Sequence, residues 1–254
     1  MAATAAGSRL TREHQQLQLQ LRARAISDWT KLWPLWDGSG ERFRQLADAS
    51  IPLVRNYHRM SAGIALDYYR RLRAVELVKS KGAIDLTLPT ISDGQIAGTL
   101  YLTGRDMTLR ALTAGQSPQA AMQNALVRTA GSMTRLILNG GRTALTEVSI
   151  SDKDALGYRR ITTGTCDFCA ELASYGMFST PDFQAHDHCG CVAEPAFSPV
   201  TRAIAVVVGP TKDTKSALKA EGALEDLPDD RRRTRKSGGP NSQNQPDTGG
   251  STND

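Results

Sequence analysis

The side chains best suited to bind a metal are gathered in one short stretch of this chain. All four cysteines and two of the four histidines fall in Cys166-Asp167-Phe168-Cys169 and His186-Asp187-His188-Cys189-Gly190-Cys191. A two-residue spacing lets both thiolates of a Cys-x-x-Cys pair reach one tetrahedral ion from a tight turn, and the second group adds soft or borderline ligands. The pattern therefore predicts a zinc site.

Six side chains compete for about four coordination positions. The preferred set is Cys166, Cys169, His186 and Cys191, with Cys189 and His188 as alternates, and spacing alone does not choose among them. Four protein ligands leave no open position for water, so we expect a structural site in which metal binding is coupled to folding. The alternative interpretation is a redox pair or unligated buried thiols, since free cysteines often fill cores.

Common enzyme signatures do not occur in the sequence. A zinc deaminase needs H-x-E before P-C-x-x-C, whereas here the cysteine pair comes first and no glutamate separates His186 from His188. The H-E-x-x-H zincin motif, the G-x-x-x-x-G-K-[ST] phosphate loop and the G-x-S-x-G elbow are also missing. A cysteine protease using Cys189 or Cys191 with one of these histidines stays open, although sequence neighbours rarely form a nucleophile–base pair.

The bulk composition is ordinary for a globular protein. The net charge of +5 permits contact with nucleic acid or an acidic protein, but many proteins that touch neither have a similar charge. No run of 18 apolar residues predicts a membrane span, and the N-terminus lacks the features of a secretory signal. We expect folding in a reducing cytoplasm, where clustered thiols bind metals rather than form disulfides.

Helical spacing of apolar residues dominates the first two thirds of the chain. It predicts a helix from Ser8 to about Trp33, ended by Pro34, and then a long helix or helical pair from Glu41 to Lys79. Pro52 should kink or break this second segment because proline cannot donate its backbone hydrogen bond. Its other faces carry a basic surface that could meet phosphate or an acidic partner, or could simply be solvated: Arg55, Arg59, Arg70, Arg71 and Arg73.

Two further helices are predicted before the cysteines. One covers Ser92 to Ala114, and another begins at Ser117-Pro118, where serine can cap the free amides and proline suits the first turn. Gly140-Gly141 could close this last helix, or Thr143 to Val148 could continue it after a kink.

The cysteine-rich region is flanked by two β-prone stretches. Tyr158–Thr163 and Cys191–Glu194 could pair as a small hairpin or sheet. Beyond them, a weak helix is predicted over Thr211–Leu227. The chain from about Asp229 is too polar to fold. Its Arg231–Lys236 run could touch nucleic acid or an acidic scaffold, or simply keep the terminus soluble.

These observations predict an α+β, mainly α protein in three parts. Residues 1–150 form a helical body with long helices, residues 151–208 form a small Cys/His metal-binding α+β module, and residues 209–254 form a weak helix followed by a disordered polar tail.

Two stretches, Gly157–Ser174 and Phe183–Pro195, resemble minor head proteins of actinobacterial tailed phages. Those proteins are similar to the phage Mu F-like head morphogenesis group, whose C-terminal motif pairs C-x-x-C with H-x-x-C-x-C. In the second half of that motif His186, Cys189 and Cys191 match, while His188 lies where the group varies.

The resemblance implies a low-copy virion protein that associates with the portal, the major capsid protein or the scaffold during head assembly. Its expected location is the host cytoplasm and then the capsid interior or portal vertex, with weak contact with phage DNA and none with a membrane. Some relatives are described as capsid maturation proteases, so proteolysis of scaffold or shell protein is an alternative. A basic nucleic-acid-binding packaging factor is a third hypothesis, and a structural role is favoured over an enzymatic one.

Overall fold

The first two thirds of the chain fold into α-helices. The computed structural model describes residues 2, 4–76, 82–163 and 166–198. Within them the helical part consists of α1 (Ala5–Leu32), α2 (Gly40–Ala49), α3 (Ile51–Glu76), α4 (Asp93–Thr113) and α5 (Pro118–Ser151), with one 3-10 turn at Trp33–Leu35.

The helix starts follow the capping signals in the sequence. The hydroxyl groups of Ser39, Ser92 and Ser117 accept hydrogen bonds from backbone amides in the first turns of α2, α4 and α5. The predicted segment from Glu41 onward is a helical pair that breaks at Ser50, and Pro52 occupies the first turn of α3. The effect predicted for this proline is thus confirmed.

Helix α5 is the central element of the fold and packs against α1, α3 and α4. Gly140 and Gly141 do not end it, so the predicted helix end there was wrong and the alternative continuation to Val148 was right. Both glycines lie where α3 crosses α5, and a Cβ atom on Gly140 would collide with the backbone carbonyl of His58. Glycine is present here because two helix backbones approach closely, which is a second use of this residue besides turns.

Besides a small cluster of Cys169, Cys189 and Cys191, the described residues form two buried hydrophobic clusters, both along α5. One surrounds Trp29, Phe43 and Ile137, and the other surrounds Tyr69 and Leu145. Each fully buried side chain of this size contributes about 1.5–3 kcal/mol relative to an exposed one. The second cluster also contains Tyr158 and Ala193, so the sheet described next packs on the same helices.

A small antiparallel sheet follows α5. Its strands are β1 (Tyr158–Ile161), β2 (Met177–Phe178) and β3 (Val192–Pro195), in the spatial order β2-β1-β3. The predicted pairing of the two β-prone stretches is confirmed as β1 with β3, whereas β2 and the helix α6 (Asp167–Ser174) were not predicted. The mainly helical α+β class is therefore confirmed.

Other predictions fall outside the part of the chain that the structure describes. These are the weak helix at Thr211–Leu227 and the polar tail with its Arg231–Lys236 run. The domain limits at residues 150 and 208 stay predictions. None of the described helices combines the length and apolar character that a bilayer crossing requires.

Candidate metal centre

Helix α6 positions the first two cysteines. Cys166 is the residue immediately before the helix, and Cys169 lies in its first turn and is buried. Residues three apart in a helical turn point to the same side, so both thiols lie on one side of α6. We use "knuckle" for residues 166–191.

A tight turn positions the remaining donors. The amide of Cys189 donates to the carbonyl oxygen of His186 at 3.2 Å, and His188 adopts the left-handed conformation with φ 66°. That conformation is uncommon for residues other than glycine, and histidine is one of the few that tolerates it. The turn brings Cys189 and Cys191 back toward α6.

Five of the six predicted ligands come together in two triads that share Cys169. The Nε2 atom of His186 lies 3.1 Å from Cys166 Sγ and 3.2 Å from Cys169 Sγ. The Sγ atoms of Cys169, Cys189 and Cys191 form the second triad, with 3.7 Å between the first two. Ligand atoms around one tetrahedral zinc lie about 3.5–3.8 Å apart, given bond lengths of about 2.0–2.3 Å. The distance of 3.7 Å between the two thiols falls in this range, and the two thiol–imidazole distances are about 0.3–0.4 Å below it.

The second ring nitrogen of His186 is held by the backbone. Its Nδ1 lies 2.6 Å from the carbonyl oxygen of Asp187, which can only accept a hydrogen bond. Nδ1 therefore carries a proton, and Nε2 faces the two thiols. Metal-binding histidines are characteristically oriented in this way by a carbonyl or carboxylate.

Two buried arginines surround the thiols. Arg142 is 3% exposed and donates to the carbonyl oxygens of Cys189 and Cys191 and to Asn139, with no carboxylate among these partners. Burial lowers the pKa of Arg142, and the negative charge available on the neighbouring thiols opposes that shift. Arg160 stacks on the ring of Phe183, 3.9 Å from its centroid, and its Nη1 is 3.9 Å from Cys169 Sγ. A buried cation requires an opposing charge, which ionised cysteines would supply.

The ionisation of each thiol disfavours the ionisation of its neighbours. Hydrogen bonds with Cys169 and Cys191 lower the pKa of Cys189, and hydrogen bonds with Cys189 and Cys191 raise the pKa of Cys169. Three adjoining thiols cannot all ionise unless a cation lies among them. A divalent ion would relieve this conflict, because a coordinating thiol is deprotonated outright. The two triads, which share Cys169, could therefore hold a metal ion, and zinc stays the predicted metal.

His188 is not brought into either triad. Its ring lies against Gly131 of α5, where a Cβ atom would collide with the imidazole. Beside it, Asp187 accepts hydrogen bonds from Arg135 at 2.8 Å and from Ser132 at 3.0 Å. These contacts hold the turn that carries His186, Cys189 and Cys191 against one face of α5.

The predicted basic surface of α3 is partly neutralised by acidic neighbours. Arg73 pairs with Asp152 at 2.7 Å and with Asp154 at 2.6 Å, and its side chain is only 12% exposed. Arg71 pairs with Glu13, and Arg55 with Asp93. Arg59 and Arg70 are exposed. The surface available to phosphate is smaller than the sequence suggests.

Sequence reasoning missed the arginines that support the site. Arg142 interrupts the buried run between Leu138 and Leu145 in α5, and a lone arginine on an apolar helix face is a signal that could have been used. Arg160 lies in a β-prone stretch, and its inward direction depends on the register with β3. The partners of Arg142 and Arg160 cannot be predicted without the fold.

Fold and site together define a mainly helical protein with a Cys/His knuckle that could bind a metal and that packs on the central helix. A family described as VG15 protein matches residues 5–207, which is most of the chain. The chain belongs to this family of viral gene products, which is consistent with a bacteriophage protein. No curated protein and no solved structure matches it.

Proposed function

We propose that this protein is a minor head protein of a tailed phage, which associates with the portal or the inner capsid during assembly. The observation that carries the proposal is the identity of the converging donors. Cys166, Cys169, His186, Cys189 and Cys191 fill the C-x-x-C and H-x-x-C-x-C positions of the Mu F-like motif. His188, where that group varies, is the candidate that does not converge.

The proposed role of the metal is structural. The donors belong to α6 and to a turn that Arg135 and Arg142 fasten to α5, and three of the four cysteines are buried. A closed site of this kind leaves no position for a reacting water. Zinc binding would then hold the late part of the chain against the helical body, as metal-coupled folding does in other small Cys/His sites.

Particle composition tests the proposed location. Purified procapsids and virions should contain the protein at far fewer copies than the shell protein, as measured by quantitative mass spectrometry. A phage carrying Cys169→Ser should lose the protein from particles, whereas His188→Ala should retain it. Absence of the wild-type protein from both kinds of particle would contradict the proposal.

A maturation protease is the second candidate, because Cys166 Sγ lies within 3.1 Å of the His186 imidazole. Thiol–imidazole pairs at this distance activate cysteine nucleophiles. Cys169 Sγ lies equally near the same nitrogen, which favours a shared metal over a dyad. Co-expression with shell or scaffold protein, followed by mass spectrometry of their termini, should give no cleavage. Cleavage that disappears in Cys166→Ser would establish the protease instead.

A further inference from the structure

Helix α4 carries an exposed stripe with the spacing of a helix-packing seam. Leu102, Leu109 and Leu112 are 55%, 50% and 43% exposed. Together with Gly98 and Arg105 they recur at alternating steps of four and three residues. This spacing keeps one narrow face toward a partner helix, as the a and d positions of a coiled coil do. We call these five residues the α4 stripe.

Helix α6 and the strand after it carry a second exposed stripe. Phe168 and Tyr175 are 45% and 63% exposed, and Leu172, which is half-buried, lies between them at the same four-and-three spacing. Met177 of β2, which is 48% exposed, extends the apolar surface beyond the helix. Aromatic residues and methionine are the types enriched in protein interfaces. We call these four residues the α6 stripe.

The two stripes carry opposite charges. Arg105 lies within the α4 stripe, and Glu171 flanks the α6 stripe, where it accepts a hydrogen bond from Tyr175. Near the α6 stripe, Asp167 and Glu171 are exposed, and residues 166–198 contain no lysine or arginine. Near the α4 stripe, Arg105 and Arg110 are exposed beside one acidic residue, Asp106.

We propose that the α6 stripe of one copy packs against the α4 stripe of a second copy of this chain. Packing two α4 stripes together would bring Arg105 of both copies into one interface, and packing two α6 stripes would do the same with Glu171. Pairing α4 with α6 instead places arginine opposite glutamate beside an apolar seam, so charge favours this pairing.

The contact is heterologous, because each copy uses a different surface. A single contact leaves one unused stripe on each copy, so the assembly closes as a reciprocal dimer or a larger ring, or grows into an open chain. This inference goes beyond the proposed function and does not depend on it.

Paired truncations test the inference with the full chain. One variant carries Leu109→Ala and Leu112→Ala, the other carries Tyr175→Ala and Met177→Ala, and the control carries Leu35→Ala and Leu156→Ala, which are exposed outside both stripes. Sedimentation over a range of concentrations should show that the wild type and the control self-associate. Each stripe variant alone should associate at least about tenfold more weakly, because each lacks two large side chains that the proposed contact would bury.

Mixing the two stripe variants gives the decisive result. Each variant still has one intact stripe, so the mixture should form a one-to-one heterodimer and nothing larger. A wild type that stays monomeric up to its solubility limit would overturn the inference. Stripe variants that associate as strongly as the control, or a mixture that forms no heterodimer, would also overturn it.

Discussion

Arg142 donates a 2.7 Å hydrogen bond from Nη2 to the carbonyl oxygen of Cys189, and its Nε donates a second one to Cys191 at 3.0 Å. The guanidinium of the central helix thus spans the backbone of the turn that presents two of the thiols. Because Arg142 is buried, these bonds are made away from water, where an unmade bond is costly. Buried hydrogen bonds from Arg142 therefore join the knuckle to α5.

Arg142→Met should lower the free energy of unfolding by about 2–4 kcal/mol, because two buried carbonyl groups lose their donor. Zinc affinity should also fall, by about 10–100-fold, as it does when residues that orient metal ligands are removed. Urea unfolding and competition with a chelator measure the two effects. Arg128→Met, an exposed change on the same helix, is the control and should alter stability by less than about 0.5 kcal/mol. Equal effects of both substitutions would refute the role of Arg142.

Gly140→Ala should destabilise the protein by about 1–3 kcal/mol, because its Cβ atom would collide with the His58 backbone where α3 crosses α5. Gly63→Ala in α3 should stabilise by about 0.5–1 kcal/mol, since no atom lies within 4 Å of the added methyl group and alanine favours helices. Thermal unfolding of both variants should give shifts of opposite sign. A neutral Gly140→Ala would argue against the close crossing.

His14 makes stability depend on pH. Burial lowers its pKa to about 3, and its ring stacks on Tyr68 with centroids 4.4 Å apart. Among the described residues its Nδ1 has no hydrogen-bond partner, and it shares a cavity of about 10 Å³ with the buried Arg142. Between pH 6.5 and 3 the unfolded chain binds a proton at this position that the native protein does not, so stability falls as pH falls.

The expected size of this effect is about 2 kcal/mol at pH 5 relative to neutral pH. His14→Phe keeps an aromatic ring against Tyr68 and removes the titrating group, so the variant should lose that part of the pH dependence. Urea unfolding at the two pH values measures it, and the cysteine ligands respond equally in both proteins. An unchanged pH dependence in His14→Phe would contradict the assignment.

Much of the helical fold is predictable because its signals are local. The serine caps and Pro52 act on residues within one turn, and the apolar spacing of α1 to α5 needs only the neighbouring residues. Helix α6 was not predicted because Cys-Asp-Phe-Cys also suits a tight turn, and the helix has only eight residues. Short helices depend on tertiary packing rather than on propensity.

The sequence predicts the candidate metal-binding side chains but not the residues that surround them. The spacing of cysteine and histidine predicts the candidate ligands, whereas the position of His188 involves a contact with Gly131, 57 residues earlier in the chain. The same holds for Gly140, whose role comes from a helix crossing, and for Arg142, whose acceptors lie 47 and 49 residues away. Contacts at that separation are fixed only when the helices have packed.

Zinc content tests the central claim most directly. Protein purified without added zinc and analysed by plasma mass spectrometry should contain about one equivalent of zinc per chain. Cys169→Ser, which removes the thiol shared by both triads, should lose the zinc and unfold at a lower temperature, while His188→Ala should keep it. Wild-type protein without metal, or Cys169→Ser protein that retains a full equivalent, would contradict the account.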